Sequence, residues 1–294
     1  MFSGCISLKN LKINSFTTSS CDSMDSMFLN CISLTSIDVS NFGTEKVNSM
    51  KRMFQNCTSL ESINLNNFVG KNVNDIEGMF KNCSKLTSLN LPNFEANPTY
   101  MTEAFQNCHS LEYLNIPKLK ADNTANPTRI FENCYSLKSL NLNSFTLTKS
   151  INMDSMFRNC YSLTSIDLSN FDTSSLTVMS SVFENCTNLS SLDLSHFDTS
   201  AVTDMSKIFY KCSSLEALIV KFNTEKTQRM DYMFGSCSSL TSLDIGTFNT
   251  LKCKDFTNMF ENYNLDLYMN YSITSNLKDK LPSGVIPHEI SEKN

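Results

Sequence analysis

LTSIDLSNFDTSSLTVMSSVFENC, residues 163–186, switches its apolar period halfway along. Leu163, Ile166 and Leu168 stand at intervals of three and two, and the last two alternate with Ser165, Asp167 and Ser169 as the faces of a half-buried strand do. Leu176, Met179, Phe183 and Cys186 then follow at intervals of three, four and three, the spacing of one face of a short helix. Between the two lie Thr173, Ser174 and Ser175, whose hydroxyls suit the unsatisfied amides of a first helical turn. The stretch predicts one short strand followed by one short helix or helical turn.

Nearly the whole chain repeats this stretch. Phe28, Phe54, Phe80, Phe105, Phe131, Phe157, Phe183, Phe209 and Phe234 are each followed three residues later by Cys and six later by Leu. A period of 25 or 26 residues means one small unit per repeat, which buries its apolar face only by stacking on its neighbours. The L-x-x-L-x-L spacing is that of a leucine-rich repeat. We therefore expect an α/β fold, a right-handed leucine-rich-repeat solenoid of about ten repeats, each a short parallel strand plus a short helix. Residues 1–262 form one such domain, with no room for a boundary. It opens in mid-repeat at Met1-Phe2 with no polar cap, so an upstream part is expected. After Asn262 the pattern fails: Tyr263 stands in the Cys slot and Leu265 comes one residue early, so 263–294 read as a C-terminal cap and a polar tail.

Composition narrows the function. Net charge is −5, and the 24 Lys and Arg are scattered, which argues against a phosphate-tracking stripe and so against nucleic acid. No apolar run approaches the ~18 to 20 residues of a membrane span, so direct membrane insertion is not expected. All 21 Phe and nearly all of the 15 Met fall into fixed repeat positions, which predicts a core and no cofactor.

Ten of the 12 Cys form a ladder from Cys5 to Cys237. Neighbouring parallel strands lie about 4.8 Å apart, too far for the ~3.8 Å between disulfide β-carbons, so buried free thiols are expected. No C-x-x-C occurs, and no metal site is expected. The residue before the Cys is Asn in seven repeats, Asn30 to Asn185, and such amides suit hydrogen bonds to loop backbone. Inward-facing Asn would make poor glycan acceptors, leaving Asn188-Leu189-Ser190 and Asn270-Tyr271-Ser272 as freer sequons.

No chemistry stands out. The three His occupy no catalytic order, and the many Ser and Thr lack a base and an orienting acid nearby, so no enzyme is expected. Binding would fall to a solenoid face. One outward strand column is rich in Asn and Asp and includes Asp167 and Asp193; calcium between those two lacks a dense ligand set. A loop column reads His109, Tyr135, Tyr161 in successive repeats, with Tyr113 on the neighbouring strand, in the stretch that also holds four of the six Pro. Tyrosine gives contact area at low entropic cost, so His109, Tyr113, Tyr135, Tyr161, Asp167 and Asp193 are the candidate ligand-binding residues.

The order Met-Phe, Asn-Cys, Leu, Asp-Leu-Ser and Asn-Phe-Asp-Thr-Ser, clearest over Met156 to Ser174, resembles the BspA-type leucine-rich-repeat family of surface proteins. That resemblance implies a cell-surface or secreted location and adhesion to a host, matrix or neighbouring-cell protein or glycan. It brings no catalytic motif with it. The competing readings are a cytoplasmic protein-interaction scaffold, to which a reduced Cys ladder is suited, and a passive structural spacer.

Overall fold

A computed structural model describes residues 1–13, 15–124, 126–261 and 264–290. The chain winds as a parallel β-solenoid, each coil one repeat. Strands β1 (Ser36–Ile37) and β2 (Ser62–Ile63) pair in parallel, as do β3 (Ser88–Asn90) with β4 (Tyr113–Asn115) and β5 (Ser191–Leu194) with β6 (Ala217–Val220). β7 (Ser242–Asp244), β8 (Leu265–Met269) and β9 (Val285–Glu289) form a three-stranded parallel sheet in that order. Register follows the sequence period: Ser36 faces Ser62, Ser88 faces Tyr113 and Leu192 faces Leu218. A second ladder of single bridges runs Asn152, Val178, Asp204, Arg229, Asp255 along another side.

Among the described residues the expected helix in each repeat is absent. Across residues 176–186 alternate amides donate to the next coil: Met179 to the Asp204 carbonyl at 3.2 Å, Ser181 to Ser206 at 2.9 Å, Phe183 to Ile208 at 2.9 Å and Asn185 to Tyr210 at 2.8 Å. The amides between them close turns three residues back, Glu184 to Ser181 at 3.2 Å and Cys186 to Phe183 at 3.0 Å. Ser181 and Asn185 have φ of 55° and 60°, left-handed values that stop a right-handed helix at each. These turns still bury Leu176, Met179, Phe183 and Cys186, which is why the spacing imitates a helical face. Nor do the hydroxyls cap helices: Thr173 is buried and its Oγ1 accepts the Asp198 amide of the next coil at 2.8 Å. Among the described residues the one helix is α1 (Tyr271–Lys278), followed by β9 on the open edge of β8. Pro287 lies in that edge strand and lacks an amide donor, which suits an unpaired edge. Tyr263, expected in a Cys slot, and the last residues of the expected tail lie outside the described residues.

Two Phe columns run through the core, packed among the buried Leu, Met and Cys columns. The Phe rings from Phe2 to Phe260 form one continuous stack, successive centroids 5.3 to 6.0 Å apart and planes within 15°. Coil spacing fixes that separation, and each offset ring pair adds about 0.5–1.5 kcal/mol beyond its buried area. The turn column is buried as well, except that Phe16 in the first coil stays 37% exposed.

Every Cys is free. The ladder thiols are more than small hydrophobes: Cys57 Sγ donates to the Phe28 carbonyl, Cys134 to Phe105 and Cys186 to Phe157, each at 3.2 Å. That carbonyl also accepts the turn amide of its own coil, as Phe28 does from Cys31 at 3.1 Å, so the thiol supplies its second donor. Burial pushes Cys57, Cys108, Cys160 and Cys237 up to about 12, and Cys83, Cys134, Cys186 and Cys212 well above the usual thiol value. Such thiols do not react. A thiol-disulfide reagent is expected to modify exposed Cys5 and half-buried Cys21 in the native protein and all 12 cysteines only after denaturation; rapid native labelling of more than two would contradict the burial.

Candidate functional site

The residue after each repeat Cys forms a column up the solenoid. Where it is Ser or Thr, its hydroxyl reaches the same column one coil earlier: Thr58 to the Ile32 carbonyl at 3.3 Å, Ser84 to Thr58 at 3.3 Å and Ser238 to Ser213 at 3.2 Å. At His109, Tyr135 and Tyr161 the column carries rings instead. His109 and Tyr135 stack with centroids 4.5 Å apart and planes 4° apart, and Tyr135 and Tyr161 at 5.0 Å and 22°. Coil spacing of about 4.8 Å is close to a stacking distance, so three successive aromatics here have to stack. Tyr161 is 37% exposed, while His109 and Tyr135 are half-buried. Burial lowers the His109 pKa, which leaves the imidazole neutral at pH 7. The Tyr135 phenol is pushed up, first by burial and then by Tyr161 and Glu132. The result is a polar-edged aromatic ridge without charge.

Tyr113 stands outside that stack. It is 56% exposed on β4, beside Ser88 in a column that is serine in most coils. Asp167 and Asp193 hold their own turns: each Oδ1 accepts the amide two residues on, from Ser169 and Ser195, at 2.9 Å. Those bonds, with the same serines' hydroxyls, lower both carboxyl pKa values. Asp38 makes the same turn with Ser40, and Gly246 donates likewise to Asp244. The structure thus unites three of the six candidates and sets Tyr113, Asp167 and Asp193 on the strand face, the two Asp in Asx turns. Among the described residues no group of three or more His, Cys, Asp or Glu is arranged to hold a metal.

The Asn ladder departs from expectation. Its amides bond one another: Asn107 to Asn82, Asn133 to Asn107 and Asn159 to Asn133, each Nδ2 to Oδ1 at 2.6 Å. Backbone contacts fall to a different column, where Asn67 Nδ2 donates to the Phe42 carbonyl at 2.7 Å and Asn170 to Asn143 at 3.1 Å. The sequon at Asn270 is also closed, because its buried side chain accepts the Ser272 amide at 3.0 Å and caps α1.

One group escaped the sequence reading. Thr203, Lys226, Gln228, Lys252 and Lys254 line a concavity of about 470 Å³ on adjoining coils. The signal was present in the register, since Lys226 and Lys252 lie one period apart, as do Gln228 and Lys254.

Residues 1–98, 99–192 and 177–279 each match the family described as "Mycoplasma protein of unknown function, DUF285". The chain belongs to this DUF285 family. Three successive matches mean that the family unit itself spans several coils, consistent with repeats that are stable only when stacked. No curated protein matches the chain. Among solved structures it is similar to a leucine-rich repeat protein from Eubacterium ventriosum, with 14% identity over 87% of this chain and 83% of that one and a TM-score of 0.34. It is also similar to the plant peptide hormone receptor RGFR1 in complex with RGF2, with 13% identity over 82% and 56% and a TM-score of 0.25. A third is the TLR13–ssRNA13 complex, with 16% identity over 83% and 43% and a TM-score of 0.25. Likeness at that level carries no argument about what this DUF285 chain binds. Among the described residues no helix is long and apolar enough to cross a membrane.

Proposed function

We propose that the chain is a non-enzymatic recognition module on the cell surface that binds a host, matrix or neighbouring-cell protein or glycan. The observation that carries this reading is the stack of His109, Tyr135 and Tyr161. It stands where Thr58, Ser84, Thr187, Ser213 and Ser238 carry hydroxyls that reach the preceding coil, and where the first two coils carry the exposed Ile6 and Ile32. Aromatic rings held rigid at a surface are the side chains that most often dominate recognition. Resemblance to BspA-type surface proteins supports the location. The thiol ladder does not favour the scaffold reading, because buried thiols with raised pKa values stay reduced in either redox environment.

Replacing Tyr135 and Tyr161 together by Ser restores the hydroxyl column and is expected to leave the circular dichroism spectrum unchanged. Adhesion of the purified protein to intact cells or immobilised matrix protein should fall by about ten-fold. Unaltered adhesion would remove the stack from the binding surface. Location is tested by labelling intact source cells with a membrane-impermeant biotin reagent; capture is expected while cytoplasmic control proteins remain unlabelled, and exclusion in an expressing culture would overturn the surface assignment.

A further inference from the structure

We propose that the concavity lined by Lys226, Lys252, Lys254, Gln228 and Thr203 binds a linear acidic polysaccharide. Three lysine side chains line it from neighbouring coils. Among the described residues none of the three lysine side chains has an ion-pair partner. Lys9, Lys12, Lys46 and Lys85 lack one too, but Lys226, Lys252 and Lys254 line a single concavity together. By contrast, Lys51, Lys81, Lys118, Lys138, Arg158 and Arg229 each face a carboxylate between 2.5 and 3.2 Å away. A chain of net charge −5 gathers three unpaired lysines around one open, shallow concavity, where like charges repel and a bound anion relieves them.

The geometry favours a polymer over a single ion. Lys226 and Lys252 are equivalent residues of adjacent coils, about 4.8 Å apart at the backbone, and Lys252 and Lys254 flank buried Cys253 on one coil. The three lysines therefore occupy repeat-related positions along the solenoid axis, and a strand with one anionic group per monomer can engage several at once. The lining also favours sugar over nucleic acid. It contains no aromatic ring, whereas single-stranded nucleic acid is held by stacking its bases. The Gln228 amide and Thr203 hydroxyl instead offer hydrogen-bonding groups suited to sugar hydroxyls. Sulfated and carboxylated chains share the required chemistry. The hollow is separate from the aromatic stack, so failure of either surface leaves the other standing.

The test measures binding of heparin and of polygalacturonate to the whole chain at low ionic strength, beside poly-dT and inorganic phosphate. Heparin, polygalacturonate or both are expected to bind, more weakly as salt rises. Each exposed ammonium contributes modestly, so Lys226→Gln, Lys252→Gln and Lys254→Gln together are expected to weaken binding by about ten-fold. Lys9→Gln with Lys85→Gln, remote from the hollow, should leave it unchanged. Which polysaccharide binds distinguishes sulfate from carboxylate recognition. The proposal is overturned if neither polysaccharide binds, if the two sets of variants lose binding equally, or if poly-dT or free phosphate binds as tightly as the polysaccharide.

Discussion

Raising the pH from 8 to 11 is expected to unfold the solenoid cooperatively, and the cause is the thiol ladder. These thiols stay protonated in the fold, because burial pushes Cys57, Cys108, Cys160 and Cys237 up to about 12 and Cys83, Cys134, Cys186 and Cys212 well above the usual thiol value. Unfolded, the same thiols ionise near pH 9. Above pH 9 the unfolded chain therefore binds fewer protons than the folded one, so stability is intact below 9 and is lost as pH climbs towards 12. Each thiol contributes a loss of about 1.4 kcal/mol per pH unit, and eight acting together approach 11 kcal/mol per unit. A typical domain has about 5–15 kcal/mol in all, so the transition should fall within roughly one to one and a half units above pH 9. Circular dichroism followed through an alkaline titration checks it. Replacing Cys134 and Cys160 by Ser keeps a donor for the Phe105 and Phe131 carbonyls while removing two ionisations. The midpoint of that variant should move to higher pH, which tyrosine and lysine titration alone would not produce. A native spectrum at pH 11 would show that the thiols are not coupled to folding in this way.

The same columns explain what the sequence disclosed and what it hid. Stacking converts period into register, so the Phe stack, the free thiols and the meeting of His109, Tyr135 and Tyr161 were all legible from spacing. Spacing could not tell a helix from a chain of left-handed turns, because Leu176, Met179, Phe183 and Cys186 face inward in either. The discriminating signal was the residue type at the turn: Asn tolerates positive φ, and Asn82, Asn107, Asn133 and Asn159 all have φ of 60° to 62°. Asp167 and Asp193 show a similar ambiguity. A strand column of acids suggests a ligand surface, yet Asp followed two residues later by Ser is also the signature of an Asx turn, which is the contact both make. The lysine hollow was harder to see because its members come from two repeat positions, and only the fold sets those positions side by side.

Asn133 offers the sharpest test of the turn ladder. Its φ is 61°, its Nδ2 donates to Asn107 and its Oδ1 accepts from Asn159, both at 2.6 Å. Asn133→Ala imposes the left-handed penalty of a Cβ residue, about 1 kcal/mol, and removes two partly buried hydrogen bonds of about 1 kcal/mol each. A loss of about 3 kcal/mol is expected by urea denaturation. Asn133→Gly removes the backbone penalty alone and should recover about 1 kcal/mol of it. Because each coil touches only its neighbours, a defect here should also broaden the transition or split it. Asn133→Asp separates the two bonds. The carboxylate still accepts from Asn159 but presents an anion to the Asn107 Oδ1, where a donor stood. Asp is therefore expected to be worse than Ala at pH 7 and to improve as pH falls to about 4, where the protonated acid donates again. If Asp and Ala proved equally stable at both pH values, the amide ladder would contribute nothing beyond the conformation of the turn.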